Sequence, residues 1–474
     1  MFFHQRFIPG LAIASYIIGD EEQSREAAVI DPTRDVEEYI RIAKAEGLRI
    51  THILETHVHA DFVSGAVELK ARLGGAPQIH CSAMGGKEWT PPYADVQVRN
   101  GDEFHLGQLR VRAVHTPGHT FEHLTWAIFD ESRSADTPWL MLTGDFLFVG
   151  DVGRPDLLGE GPRKQLAAQL YRSVFEKLPP LPDFTEIFPG HGAGSLCGKA
   201  LGSRRSSTLG YERRFNPSLQ AAPEAAWIAS LLEGMPLAPP YFLRMKKVNA
   251  EGPRILGPEL PGKRRFTAKE VHERVCEHCV ILDVRSKEAF AGGHIPDSIN
   301  IPLGPSFASW CGWVLPYDTP MLIVPDDPAD VPEVVTHLLR VGFDDVQGYL
   351  EDGVGAWETN GFPLARLETI SAQDLAQKLA GSDGERPFVL DVRTDAEWSK
   401  GHIAGALHIH GGLIQERHEE VPRDRTVAVV CGSGYRASIA ASFLKREGHL
   451  RVMNLLGGMS AWNASGQPTT RSVK

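Results

Sequence analysis

The stretch ITHILETHVHADF, residues 50–62, decides the first half of the chain. Its opening, ITHIL, is a short β-branched apolar run of the kind that forms a buried strand. His57, His59 and Asp61 follow directly, where the chain leaves that strand. Three other apolar runs end in the same way: LRVRAVHTPGH in His119, WLMLTGD in Asp145 and TEIFPGH in His191. Side chains delivered from several strand ends converge on one edge of a sheet. Imidazole and carboxylate together suit Zn, Fe or Mn. Any one of these residues serves equally well as a turn cap. The whole set, with glycines at the turns, points to a metal centre. Helical patterns such as DVEEYIRIAKAEG and KQLAAQLYRSVFEKL lie between strands, so the region reads as α/β. From residue 216 to about 264 proline and glycine accumulate, which reads as a C-terminal helix followed by a linker.

The second half is an internal repeat. ILDVRSKEAFAGGHIPDSINIP begins at Ile281 and VLDVRTDAEWSKGHIAGALHIH at Val389. Asp283 matches Asp391, Arg285 matches Arg393 and His294 matches His402. GAWETNGFP around Trp357 and SAWNASGQP around Trp462 close the two copies. Apolar runs alternate with amphipathic helices in both, the pattern of a parallel sheet. Asp283 and Asp391 stand at equivalent strand ends whatever else each copy carries, so both read as structural. Three domains result: 1–260, 265–365 and 368–474.

In the second copy VAVVC runs straight into GSGYR and a helix. Gly432, Ser433 and Gly434 allow the backbone to curl round the sulfur of Cys431. Their N–H groups and the helix N-terminus stabilise a thiolate or persulfide anion, and Tyr435 and Arg436 complete the loop. In the first copy the corresponding stretch is PDDPAD, with Pro325 at the cysteine position and Asp330 at the arginine position. A loop without a thiol holds no persulfide, so the first copy is expected to be catalytically silent. Cys276 and Cys279 form CEHC, which reads as two ordinary cysteines because no second pair follows at zinc-finger spacing.

Composition sets outer limits. Lys and Arg number 49 against 60 Asp and Glu, a net charge of −11, and 42% of the 474 residues are hydrophobic. That excludes a disordered chain and gives no general attraction to nucleic acid or anionic lipid. Six cysteines are too few for a disulfide scaffold and suit a reducing cytoplasm. MFFHQRFIPGLAIASYIIGD reads as a strand rather than a signal peptide, and no apolar run reaches the roughly 18 residues of a membrane span. A soluble, cytoplasmic protein is expected, with no nucleic-acid or membrane partner.

The order THVHAD, TPGHT, TGD, PGHG resembles the metallo-β-lactamase superfamily and implies an αββα sandwich. Zinc hydrolases of the glyoxalase II type carry a histidine immediately after the aspartate of the first motif. Phe62 stands there, so a second metal would lack a ligand. HADFVSG, the VGRPD stretch, LYRSVFEKL and ERRFNP resemble the persulfide dioxygenases of this superfamily. That resemblance implies one Fe(II) per chain on His57, His119 and Asp145, with Zn the alternative on the same ligands. His59, Asp61 and His191 would then orient ligands or a bound water. Arg154, Tyr171 and Arg214 fall in segments shared with the family. An arginine there binds a carrier carboxylate or serves an ordinary structural partner. Cys197 either approaches the site as a sulfur relay or is a buried inert thiol.

LDVR, GHIAGA, the six-residue loop from Cys431 to Arg436 and GGMSAW resemble a rhodanese domain. The joint expectation is an iron-dependent oxidation of a low-molecular-weight thiol persulfide by O2 to sulfite, coupled to sulfur transfer through Cys431 and yielding thiosulfate. The superfamily implies self-association. Two alternatives stay open at this point. One is a zinc-dependent thioester hydrolase of the glyoxalase II kind. The other is a sulfur carrier that acts only through Cys431.

Overall fold

Two-residue periodicity builds the first two sheets. In the strand Ile13–Gly19, Tyr16 and Ile18 face Val111, Trp126 and Leu142 of a second sheet. Ile17, between them, faces Tyr39 and Ile42 on the helical side. The second sheet does the same in mirror order: Trp126 and Ile128 point inward, while Ala127 and Phe129 pack with Ala167 and Leu170 of the helix Glu160–Arg172. The result is an αββα sandwich, a buried inner layer between two sheets with helices on both outer faces. The computed structural model describes residues 1–275, 279–382 and 386–471.

The first sheet runs in the order Phe2–Ile8, Ile13–Gly19, Glu26–Ile30, Arg49–Leu54, Gln78–Ser82, Val96–Val98. The second runs Ser207–Thr208, Glu186–Pro189, Leu140–Gly144, Leu124–Asp130, Leu109–His115, Glu103–Leu106. Both are mixed. Leu140–Gly144 and Glu186–Pro189 are parallel neighbours, so Asp145 and His191, which follow them, leave from the same edge.

The region read as a helix and a linker instead contains two packed helices, Glu224–Leu232 and Tyr241–Glu251. Trp227 and Leu231 of the first join the core around Leu170. The physical reason for the misreading is the placement of proline. Pro223 and Pro240 sit at the two helix starts, where a missing N–H is harmless and a fixed φ favours the first turn.

The two repeats form parallel five-stranded sheets with the same order. The first is Arg265–Phe266, Val346–Leu350, Met321–Val324, Val280–Asp283, Ile299–Asn300. The second is Glu368–Ile370, Val452–Leu455, Val427–Val430, Phe388–Asp391, Leu407–His408. The shared motifs are structural. Asp283 pairs with Arg285, which also donates to the Gly293 carbonyl; Asp391 and Arg393 repeat this at Gly401. The buried Trp357 and Trp462 each donate Nε1–H to a proline carbonyl, Pro363 at 2.9 Å and Pro468 at 3.0 Å. The chain divides into two compact units, Met1–Glu259 with Leu339–Gly342, and Leu260–Leu338 with Phe343–Lys474, so both repeats, apart from Leu339–Gly342, belong to one unit. Among the described residues no helix is long and apolar enough to cross a membrane.

Candidate metal centre and cysteine loop

His57 follows the strand Arg49–Leu54 and is oriented by its neighbour. Asp31 accepts from the backbone and hydroxyl of Thr56 at 2.7 and 2.8 Å. With its proton committed to Asp31, the Thr56 hydroxyl accepts from His57 Nδ1 at 2.9 Å. His119 donates Nδ1–H to the Arg154 carbonyl at 3.0 Å. Each ring is thus fixed with an Nε2 lone pair facing the same point, as metal-binding histidines require. Asp145 follows Gly144, whose φ of +48° and crowding by Thr56 and His123 (a Cβ there would lie 2.7 Å from His123 Nε2) leave no room for a side chain. The Asp145 backbone N–H donates to His123 Nε2 at 3.0 Å.

The two oxygens of Asp145 have separate tasks. Oδ1 accepts from His191 Nδ1 at 2.7 Å, and His191 donates Nε2–H to Asp61 at 2.8 Å. Burial opposes a charge on this ring, but Asp145 and Asp61 outweigh it and raise the His191 pKa to about 10. Oδ2 lies 3.9 Å from His57 Nε2 and 3.5 Å from His119 Nε2. All three atoms are buried and have no hydrogen-bond partner. Burial holds both histidines well below their usual pKa, hence neutral. Three orphaned ligand atoms of two imidazoles and one carboxylate, within 4.8 Å of one another, fit a divalent cation that leaves open coordination positions.

The remaining sequence candidates separate. His59 turns away to Asp31 at 3.1 Å and Glu55 at 3.2 Å, and these carboxylates raise its pKa against burial. Phe62 is fully buried with its ring 4.4 Å from that of His59. Cys197 is buried, with a ligand atom within 4.8 Å of those of Asp61 and His191, and burial pushes its thiol pKa well up. Arg154 directs its guanidinium to Asp156, Leu196 O and Pro236 O, so its contribution to the centre is the carbonyl that holds His119. Tyr171 donates to Ala222 O and packs with Phe175 and Trp227. Arg214 is exposed over Phe215. Arg154 and Tyr171 are thus committed to partners within the protein, while Arg214 stays exposed. Three contributors escaped the sequence reading. Asn249 clamps the ligand loop, donating to His59 O and Phe62 O at 2.8 and 2.7 Å and accepting from Ser64 N at 2.9 Å. Lys246, on the same helix, is buried; burial lowers its pKa to about 8, opposed by Glu122. The histidine in PGHTFEH that supports Asp145 was visible in the sequence as a second His after His119.

In the second repeat Cys431 ends the strand Val427–Val430 and is fully buried. The Gly434 N–H points at its sulfur, 3.1 Å away. Arg436 is held by two bonds to Glu397, both 2.6 Å. Burial opposes the Arg436 charge; Glu397 and then Cys431 more than offset it. The helix Gly458–Ala464 closes the far side: Met459 N donates to Cys431 O at 2.7 Å and Ser460 N to Gly432 O at 3.0 Å. A Cβ at Gly458 would lie 2.2 Å from Cys431 O, which explains the double glycine of GGMSAW. In the first repeat Ala289 replaces Glu397 and Asp330 replaces Arg436, so both halves of the ion pair are gone with the thiol. Cys279 is placed with its sulfur 3.2 Å from Pro320 O; Cys276 lies outside the described residues.

Residues 8–191 match the family model of the metallo-beta-lactamase superfamily, and residues 267–360 and 371–465 each match the rhodanese-like domain. The mitochondrial persulfide dioxygenase ETHE1 of Bos taurus is 32% identical over 216 residues, 45% of this chain and 74% of that protein. The chain belongs to the metallo-beta-lactamase superfamily. Its relatives include the human mitochondrial ETHE1, 31% identical over the same coverage. A solved metallo-beta-lactamase from Staphylococcus aureus subsp. aureus COL is 37% identical, with a TM-score of 0.65, over 74% of this chain and 98% of that one. This superfamily member therefore has an ETHE1-like domain followed by two rhodanese-like domains, a combination that places it among enzymes of sulfur metabolism.

Proposed function

We propose that the first domain is a persulfide dioxygenase and the second rhodanese-like copy its sulfurtransferase partner, in the cytoplasm. The carrying observation is the set of three orphaned ligand atoms on His57, His119 and Asp145, beside a Phe62 that denies a second metal its ligand. The persulfide dioxygenase activity named for the ETHE1 relatives supports the reading. Fe(II), one per chain, would be held by these three residues and would supply the chemistry that joins O2 to the terminal persulfide sulfur. The overall reaction is RSSH + O2 + H2O giving RSH, sulfite and two protons.

The protein's own part is positional. Thr56 and the Arg154 carbonyl fix the imidazole tautomers. The His191 cation, anchored on Asp61, holds one oxygen of Asp145 so that the other faces the centre. At the cysteine loop, the Cys431 thiolate attacks the terminal sulfur of a persulfide. The S–S bond of the persulfide breaks, RS⁻ leaves and takes up the proton of the terminal sulfur as RSH, and the Gly434 N–H and Arg436 hold the anionic Cys431 persulfide. Sulfite then attacks the outer sulfur, thiosulfate departs and the thiolate is regenerated.

The test is oxygen uptake by Fe(II)-loaded and zinc-loaded protein on addition of glutathione, coenzyme A or bacillithiol persulfide. Uptake with iron alone, with sulfite formed, is expected. No uptake with any of them, together with cleavage of S-lactoylglutathione by the zinc form, would replace this reading with the hydrolase.

A further inference from the structure

The helix Tyr435–Arg446 starts at the sulfur of the second copy. The Gly434 N–H, at its N-terminal end, lies 3.1 Å from Cys431 Sγ, so the helix start is the anion-holding side of the loop. That hold is directional, because an N–H turned away from its acceptor loses the bond. Whatever keeps this helix in register therefore bears on the sulfur chemistry.

One stripe of the helix is held by the first copy. The Tyr435 hydroxyl donates to Pro302 O at 3.0 Å. Ser438, one turn on, donates to Asn300 Oδ1 at 2.8 Å. Ser442, a further turn on, accepts from the Asn300 N–H at 3.0 Å. Positions i, i+3 and i+7 share one face and span about 10 Å of axis, so the three bonds oppose both rotation and sliding of the helix. Asn300 is itself fully buried and fixed, its side-chain amide donating to Asp283 O and Arg285 O at 3.1 Å. Gly434 is backed by the first copy as well: a Cβ there would lie 3.4 Å from Lys287 Cε. From the second copy, Asn454 donates its side-chain amide to the Gly434 carbonyl at 3.0 Å. In the matched motif of the second copy His408 stands for Asn300 and His410 for Pro302, so the residues that make these bonds are particular to the first copy.

We propose that Asn300 and Pro302 are positioning residues for Cys431, through which the first copy keeps the start of the helix aimed at the sulfur. The inference rests on the sulfurtransferase reading of Cys431 and makes the copy without a loop thiol a working part of that site.

The test compares the full-length wild type with Tyr435→Phe, Ser438→Ala and Gln415→Ala. Gln415 donates to Val314 O at 2.8 Å, a bond between the same two copies made from the helix Ile414–Arg417, away from the loop. Each protein is treated with iodoacetamide at pH 7, alkylation of Cys431 is followed by peptide mass spectrometry, and urea unfolding is measured beside it. Tyr435→Phe and Ser438→Ala are each expected to slow Cys431 alkylation by about threefold or more, because the loop then holds less thiolate. Gln415→Ala is expected to keep the wild-type rate whatever happens to its urea midpoint. Unchanged or faster alkylation in either loop-helix variant, or an equal loss in Gln415→Ala, would overturn the proposal and leave an interface that only stabilises. Wild-type protein treated with glutathione persulfide or thiosulfate tests the underlying reading separately. Failure to form a Cys431 persulfide with either donor, with the alkylation pattern as expected, would remove the sulfurtransferase and leave the positioning role standing.

Discussion

Individual side chains in this protein acquire their chemistry from the groups that fix their protons. Burial keeps His57 and His119 neutral, and Thr56 and a backbone carbonyl fix which nitrogen carries the proton, while His191, between two carboxylates, is held as a cation. The Glu397–Arg436 pair follows the same logic. Burial would raise the Glu397 pKa, but Arg436 and Thr394 lower it from 4.5 to about 2. A carboxylate with a depressed folded pKa contributes stability that is fully present above its unfolded value and is lost as pH falls through the folded one. The wild type should therefore lose an increment of stability between about pH 4.5 and pH 2 that Glu397→Gln never had. Urea unfolding of the two proteins across that range checks it; parallel pH profiles would refute it.

At the scale of elements, the cysteine loop depends on a helix far away in sequence. The N–H groups of Met459 and Ser460 satisfy the loop carbonyls, and Gly458 permits the approach with a φ of +54°. Gly458→Ala meets both the positive φ and the contact with Cys431 O. It should destabilise the protein by about 2 kcal/mol or more and cut sulfur transfer with it. Chemical denaturation and a thiosulfate assay measure the two effects. The helix Tyr435–Arg446 is supported by the other repeat. Buried Asn300 accepts from Ser438 at 2.8 Å, donates its N–H to Ser442 at 3.0 Å and its side-chain amide to Asp283 O and Arg285 O. Asn300→Leu strands several buried polar groups at once. A loss of about 2–4 kcal/mol is expected in the urea midpoint analysis. The first copy thus has a structural task for which no thiol is needed.

For the whole molecule, two separable chemistries predict a double dissociation. His119→Ala removes a ligand, so bound iron and oxygen uptake should both be lost, while Cys431-dependent sulfur transfer from a supplied persulfide persists. Cys431→Ser should do the opposite, keeping iron and uptake and ending on sulfite rather than thiosulfate. Metal analysis together with product quantification decides the matter; loss of both activities in either variant would mean the two sites act as one.

The sequence by itself determined the fold class, the repeat and the residue types of both sites. These rest on local rules: strand periodicity, a ligand at each strand end, and glycines around a cysteine. It also showed that the first repeat lost its thiol, because a single substitution at a matched position is enough. The resemblance already set His57, His119 and Asp145 apart from the other three; how their ligand atoms come to face one point was visible only in three dimensions. His59 and His57 are two residues apart, yet the carboxylates of Asp31 and Glu55 draw one ring away and Thr56 turns the other inward. The role of Asn249 was likewise invisible, because it depends on His59, Phe62 and Ser64, partners brought from a distant part of the chain.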